Sequence, residues 1–449
     1  MNKVNLKKYL KRSTRRFSPP MTVVFSFFML ILMGTALLKL PFATTQTISW
    51  IDTLFTATSA VTVTGLVVVD TGTAFTLFGQ TIIMILMQLG GLGLMTAAVF
   101  IFFIFKRRIG MQQRDLVKES LNQGSSGGII RLVRHVLFFS LSIELIGFTL
   151  LSTKWIPEFG VWKGAFYSLF HTVAAFNNAG FSLWSDSLSG YVGDPVINLT
   201  ITSMFVLGGI GFTVLLDVWN KKKFKSLTLH SKVMIVGTLI INAIAIISIF
   251  VLEYSNPQTL GSLSLGDKAW SAYFQGLTPR TAGFNSIDIT ALTAPSMLLT
   301  ILLMFIGAGS ASTGSGIKLS TFIILLLTTT TSLRGGEEVT LFGRRIRNSA
   351  VFRALTLTTI SFLLVFIAIF ILTITENGSF IDIVFEVVSA FGTVGLSAGL
   401  TPELSIIGRF VIMFVMFIGR IGPITIVSIL IARKGNSLIR YPQEDLFIG

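Results

Sequence analysis

The sequence predicts an all-α integral membrane protein of eight transmembrane helices, built as four pseudo-symmetric helix, pore loop, helix repeats around one central pore. Three observations lead there: the composition, the placement of the basic residues and a long-period repeat. Of 449 residues, 52% are hydrophobic and 12% are charged, where an ordinary globular chain carries about 25% charged residues. Mean hydropathy is +0.79. With 40 Phe and 41 Gly besides, too few polar side chains remain to cover a soluble body of this length. The absence of cysteine excludes a disulfide scaffold, a thiolate metal site and a cysteine nucleophile. Three scattered histidines, His135, His171 and His230, leave little for a histidine metal centre.

The formal net charge of +15 is clustered. Basic residues gather in the N-terminal tail (Lys3 to Arg16), between Lys106 and Arg134, between Lys221 and Lys232, between Arg334 and Arg353, and between Arg433 and Arg440. Placing all five clusters on the cytoplasmic side satisfies the positive-inside rule and puts both termini in the cytoplasm of a plasma-membrane protein. The partners of such charge are membrane lipid and cytosolic protein. A nucleic-acid reading would need bases interleaved with aromatics on a soluble face, and none is present. The tail lacks a signal-peptide cleavage pattern.

Each stretch between clusters holds two apolar segments of spanning length, about 20 residues. In order, residues 1–20 form the basic tail and 21–110 the first repeat, with spans 21–40 and 77–105. Residues 111–232 form a cytoplasmic linker and the second repeat, with spans 133–153 and 197–219. Residues 233–332 form the third repeat, spans 233–253 and 296–328, and residues 333–432 a linker and the fourth, spans 351–374 and 406–432. Residues 433–449 are the cytoplasmic C-terminal tail.

The connectors inside each pair carry the repeat. Phe55, Phe170, Tyr273 and Phe385 each precede a glycine by ten residues: Gly65, Gly180, Gly283 and Gly395. Leu66, Phe181, Phe284 and Leu396 follow them. The second helices then hold small-residue clusters beginning at Gly90, Gly208, Gly307 and Gly419. Residues 50–61, 163–176, 268–277 and 380–391 read as half-length helices, since about 11 residues at about 1.5 Å each reach about half of a 30 Å core. The chain must therefore turn back at mid-membrane, which is tolerated only where backbone lines a watery path. Four converging helix C-termini, each with about half a negative charge, attract a cation. The return segments Thr62-Val63-Thr64-Gly65, Asn177-Asn178-Ala179-Gly180, Arg280-Thr281-Ala282-Gly283 and Gly392-Thr393-Val394-Gly395 contain no carboxylate. Backbone carbonyls in that place suit a weakly hydrated monovalent ion such as potassium, bound at the filter itself and with no organic cofactor in the chain.

The settings TVTGL, NNAGF, TAGFN and TVGLS, one filter glycine in each of four helix-loop-helix units, and a broken third-repeat helix resemble the Trk/Ktr/HKT superfamily of potassium transporters. Within it they are similar to the membrane subunits of bacterial Ktr potassium uptake systems. The resemblance covers residues from about 21 to 449. It implies potassium uptake, a homodimer with one pore per chain, and a cytosolic nucleotide-binding regulatory subunit of the KtrA-like kind. Sodium-permeable plant members carry serine where Gly65 stands here. Against a TVGYG channel signature only Thr393-Val394-Gly395 matches, so a sodium-permeable or poorly selective transporter is the alternative. No cytoplasmic segment is long enough to bind a nucleotide itself, so regulation is expected from a partner docking near Lys106, Lys221 and Arg344.

The third repeat's second span is interrupted by Gly307-Ala308-Gly309-Ser310-Ala311-Ser312-Thr313-Gly314-Ser315-Gly316. Four glycines at about 1 kcal/mol each disfavour helix, and a flexible intramembrane gate loop is expected, with close helix packing as the competing reading. Arg420 occupies the register of Gly91, Gly209 and Ala308, at a depth where arginine costs roughly 2.5–3.5 kcal/mol. It is expected to donate to that loop and raise the barrier to cations. An enzyme is not expected: Gly395-Leu396-Ser397-Ala398-Gly399 matches a nucleophile-elbow pattern, but it closes a connector and lacks a histidine in its own repeat.

Overall fold

In the computed structural model, residues 19–93, 129–423 and the single positions 425, 442 and 444 are described. Most of the tails and of the Lys106 to Arg134 cluster lies outside them. The helices come in sets that follow the expected order. The first set is α1 (Pro19–Leu38), the short α2 (Trp50–Thr62) and α3 (Leu77–Leu92). The second is α4 (Ile129–Phe159), α5 (Val161–Phe176), α6 (Pro195–Ile210) and α7 (Phe212–Lys221). The third is α8 (Leu229–Glu253), α9 (Leu265–Leu277), α10 (Ala294–Phe305) and α11 (Leu319–Leu333). The last is α12 (Asn348–Thr375), α13 (Phe380–Gly392) and α14 (Ile406–Ile421).

Four helices among the described residues are long and apolar enough to cross a bilayer, beginning at Pro20, Val133, Leu229 and Asn348. They leave rows of large side chains uncovered, such as Phe362, Phe366 and Phe370 on α12 or Ile240, Ile244 and Ile247 on α8. Such rows have a favourable environment only in lipid. The second helices are shorter. Three of the expected long spans differ from continuous helices. The helix expected at 77–105 stops at Leu92, and residues 94–105 lie outside the described ones. The one expected at 197–219 breaks at Gly211 and turns by 93°. The one expected at 406–432 ends at Ile421, with 426–432 outside the described residues. The segment 296–328 is two helices separated by the glycine-rich stretch.

The short helices are started by a local device. Ser49, Ser264 and Ser379 cap α2, α9 and α13, each accepting from the amide of an aspartate three residues on and donating to its carboxylate: Asp52, Asp267 and Asp382. This S-x-x-D box satisfies orphan amides and places negative charge at the positive end of the helix dipole. α5 starts at Gly160 without a side-chain cap. The fully buried aromatics Phe55, Phe170 and Phe385 pack these helices into the core as the spacing predicts. In the third connector the fully buried ring is Phe274 rather than Tyr273, whose hydroxyl instead pairs with Thr202 Oγ1 at 3.0 Å.

Candidate functional site

The four short helices end where the four return segments begin, and the backbone there repeats residue for residue. Val63, Asn178, Thr281 and Thr393, each two residues before a connector glycine, all take positive φ, between 48° and 69°. The glycines follow at φ 90°, 67°, 81° and 93°, values that side chains resist. In three connectors the turn is closed alike. The amide before the glycine bonds the carbonyl five residues back, Thr64 to Ser59, Ala179 to Ala174 and Val394 to Ser389, at 2.8 to 2.9 Å. The third connector closes differently, with Ala282 N on Thr278 O at 3.0 Å.

The glycines meet. A Cβ on Gly65 would stand 2.4 Å from Ala179 O, on Gly180 3.2 Å from Ala282 O, on Gly283 2.1 Å from Val394 O, and on Gly395 2.2 Å from Thr64 O. Each glycine thus abuts the carbonyl of the next connector, and the fourth closes on the first. The result is a ring of backbone oxygens with no charged group in it. On its outer side lies a cavity of about 200 Å³ lined by Ser182, Ser187, Asn285, Ser397, Asp70 and Asp288. The sequence reading overlooked the two aspartates, which give this mouth negative charge. The small-residue clusters also find a cause: a Cβ on Gly90, Gly208 or Gly419 would come within 2.0 to 2.2 Å of Val61 O, Phe176 O or Phe391 O. Glycine there lets the second helices lie against the ends of the short ones.

Below the ring, the stretch 307–316 is non-helical and makes hydrogen bonds to its neighbours. Its amides at Gly309 and Thr313 bond Gly209 O (2.7 Å) and Gly208 O (3.1 Å) at the end of α6, and Ala311 O accepts from Phe212 N at 2.8 Å. Gly211, at φ 110°, makes the break that admits this contact, with Ser310 O only 2.6 Å from where its Cβ would be. Thr313 is fully buried and donates to Asn178 Oδ1 (2.8 Å) and Phe176 O (3.2 Å), directly against the underside of the second connector. Asn178 Nδ2 in turn reaches Thr281 Oγ1 at 3.2 Å. Ser312 Oγ bonds Gly309 O within the stretch, and the Gly307 and Gly316 backbones lie against each other.

Three cations grip the same stretch. Lys318 Nζ donates to Gly314 O at 2.7 Å. Arg280, counted with the ring residues by its position, turns its side chain away to Asn242 Oδ1 (3.0 Å) and Gly307 O (3.5 Å). Arg420 donates to Thr313 O and, at 3.4 Å, to Ser315 Oγ, while its other nitrogen holds Gly90 O and Gly91 O of α3 at 2.5 and 2.9 Å. The Arg420 charge is met by carbonyl dipoles rather than by a carboxylate, whereas Arg280 is met less fully, its Nε having no hydrogen-bond partner among the described residues.

Other polar residues in the connectors are bound up in structure. Ser397, the centre of the elbow-like motif, donates to the buried carboxylate of Glu386, not to an imidazole. His171 is stacked on Trp184 at 4.3 Å in a different connector. Asn177 Nδ2 donates to Gln88 Oε1 at 2.5 Å, and Gln88 Nε2 to Glu144 Oε1 at 2.8 Å. Among the described residues no group of three His, Cys, Asp or Glu is placed to hold a metal ion.

Comparison with known proteins puts this geometry in context. The family model described as "TrkH: Cation transport protein" matches residues 4–438. The "Ktr system potassium uptake protein B" of Bacillus subtilis (strain 168) is 55% identical over 97% of each chain. The protein of the same name from Vibrio alginolyticus is 44% identical over 98% of this chain and 97% of its own. In fold, the chain is similar to the potassium transporter TrkH from Vibrio parahaemolyticus, whose crystal structure superposes with a TM-score of 0.74 at 19% identity, over 93% of this chain and 86% of the other.

Proposed function

The chain belongs to the TrkH family of cation transport proteins, a transporter family and not an enzyme family, and from that premise we propose that it takes up potassium through the glycine ring. The observation that carries this reading is the closure of Gly65, Gly180, Gly283 and Gly395 on one another's preceding carbonyls. An ion at the centre exchanges its hydration shell for backbone oxygen, which suits a large monovalent cation and gives a divalent one no fixed negative charge to bind. Asp70 and Asp288 in the outer cavity concentrate cations before the ring. The short helices aim their negative ends at it.

In this reading the eight spans form four repeats, 21–110, 111–232, 233–332 and 333–432, around one pore, with both tails cytoplasmic. The stretch Gly307, Gly309, Ser310, Ser312, Thr313, Gly314, Ser315, Gly316 is a gate, and Arg420 is its latch. Support comes from the position of Thr313 beneath Asn178 and from the bridge that Arg420 makes between the stretch and α3. The stretch is held by backbone hydrogen bonds of about 1 kcal/mol each and by charge-assisted bonds from Lys318 and Arg420 of about 1.5–3 kcal/mol each, a total that a partner's binding energy can reverse. The partner is a cytosolic nucleotide-binding subunit docking on the basic cytoplasmic loops, and the chain works as a homodimer with one pore per protomer. The names of the relatives, which speak of a potassium uptake "system", support a second component.

Fluxes of potassium, rubidium and sodium in liposomes holding the full chain test the reading. Potassium and rubidium are expected to pass well ahead of sodium, and adding the partner with its nucleotide to raise the flux. Equal passage of sodium would remove the ring as a potassium filter.

A further inference from the structure

Behind the ring, two of the four connectors share a brace. His171 and Glu386 each stand nine residues before their glycines, on α5 and α13, and both are fully buried. His171 Nδ1 lies 2.8 Å from Tyr167 O, so that nitrogen carries the proton and Nε2 is left as acceptor. Nε2 receives Ser182 Oγ at 3.3 Å and Leu183 N at 3.4 Å. Glu386 Oε1 receives Ser397 Oγ and, at 3.2 Å, Ala398 N, while Oε2 receives Thr401 Oγ1 at 2.7 Å. The donors keep one register: a serine two residues past the glycine and an amide three past it. Different chemistry, an imidazole in one connector and a carboxylate in the other, arrives at the same pair of hydrogen bonds.

The remaining connectors lack this pair of hydrogen bonds at that register, and the third ties its exit segment in another way, with Thr278 Oγ1 donating to Phe284 O at 2.5 Å. Thr56, nine before Gly65, spends its hydroxyl on Asp52 O of its own helix. Phe274 stands nine before Gly283, and the amide of Gln275 beside it has no hydrogen-bond partner among the described residues. The neighbour order of the glycines, 65 to 180 to 283 to 395 and back to 65, sets the two braced connectors opposite each other.

We propose that His171 and Glu386 are positioning residues for the ring: each ties the segment leaving its glycine to the short helix behind it and so fixes one of two facing carbonyls. The inference rests on the ring being the filter. Glycine at positive φ has no side chain to hold its own dihedrals, so the carbonyl direction must be set from its flanks. On the inner flank three connectors have the helix-ending turn; on the outer flank the second and fourth have the brace. A carbonyl ring discriminates ions by the spacing and freedom of its oxygens, so loosening one diagonal should degrade selectivity before it degrades flux. The acceptor geometry is what matters, not the charge.

The test compares potassium-to-sodium flux ratios in liposomes for the full-length variants Glu386→Gln, Glu386→Leu, Ser397→Ala, His171→Leu and Ser182→Ala. The amide oxygen of Glu386→Gln can accept from Ser397 and Ala398 and its NH₂ can donate to Thr401, so this variant is expected to keep the wild-type ratio. Glu386→Leu and His171→Leu are expected to lower it by about tenfold, and the serine variants, which alter one donor on the exit segment, by about threefold. Thr56→Val, at the unbraced register, should leave it unchanged. If the leucine variants fail to fold, the serine variants decide. Wild-type ratios in every folded Glu386, His171, Ser182 and Ser397 variant would overturn the proposal, as would a Glu386→Gln ratio as low as that of Glu386→Leu. Gly395→Ser in the same liposomes separates the two readings: if it lowers the ratio while the brace variants do not, only the brace falls, and if it does not, the filter falls with the brace.

Discussion

Replacing Arg420 by Ala should raise basal potassium flux in the absence of any partner. The guanidinium makes two kinds of contact. Its bonds to Gly90 O and Gly91 O join α14 to α3 and do not involve the 307–316 stretch. Its bonds to Thr313 O and, at 3.4 Å, to Ser315 Oγ exist only while the stretch is docked. A hydrogen bond from a charged donor contributes about 1.5–3 kcal/mol, and the Ser315 contact is near the limit of length, so the docked state loses about 2 kcal/mol with the side chain. At about 1.4 kcal/mol per tenfold, that moves the closed-to-open ratio about 30-fold. Removing a positive charge from the ion path acts in the same direction. The assay is rubidium or potassium uptake into liposomes at fixed protein content, with monodispersity and thermal unfolding in detergent as folding controls. Arg420→Lys separates the two effects, since it keeps the charge but not the fork that bridges α3 and the stretch. It should open the pore less than Ala does. A folded Arg420→Ala protein whose flux stays within about twofold of wild type would refute the latch, because an effect that small is under 0.5 kcal/mol.

Three further outcomes follow from the same geometry. Gly395→Ser should lower the potassium-to-sodium flux ratio, since its Cβ would lie 2.2 Å from Thr64 O and must displace a ring carbonyl; a wild-type ratio in the folded variant would contradict the ring. Thr313→Val removes the hydroxyl that bonds Asn178 Oδ1 and Phe176 O, and at about 1 kcal/mol net should raise basal flux about fivefold in the liposome assay. Asp194 caps α6 through the amides of Val196 and Ile197 and pairs with Lys154 at 2.7 Å. Burial alone would raise its pKa, but those bonds to Lys154 and the two amides outweigh it and hold the carboxyl below its ordinary range. Because the folded value is depressed, its contribution is complete above the unfolded value of about 3.9 and is lost as pH falls through the lower folded one. Asp194→Ala should therefore cost about 1 kcal/mol at neutral pH, and the gap in thermal stability from wild type should close as pH drops below about 4.

Much of the architecture is local and so could be read along the chain. Apolar length finds the long helices because a bilayer requires it of every span, and the four glycines stand out because they recur at one spacing, although Val63, Asn178, Thr281 and Thr393 take positive φ as well and it is the close approach of the next carbonyl that excludes a Cβ at the glycines. The capping boxes at Ser49, Ser264 and Ser379 are equally local, an S-x-x-D before an apolar run. The shared register of His171 with Ser182 and of Glu386 with Ser397 was visible too, but nothing in one dimension says that a residue nine before a glycine lies against one two after it. Tertiary structure alone decided the partners of the buried polar groups. The fork of Arg420 meets carbonyls of α3 more than three hundred residues away, Arg280 leaves the ring for Asn242 and Gly307, and the 307–316 stretch, flexible by composition, is held because Gly211 turns α6 into α7 and exposes the carbonyls of Gly208 and Gly209. The difference is physical: dihedral preference and hydrophobic length belong to the residue and its neighbours in the chain, whereas a desolvated donor takes whichever acceptor the packed fold brings within 3 Å.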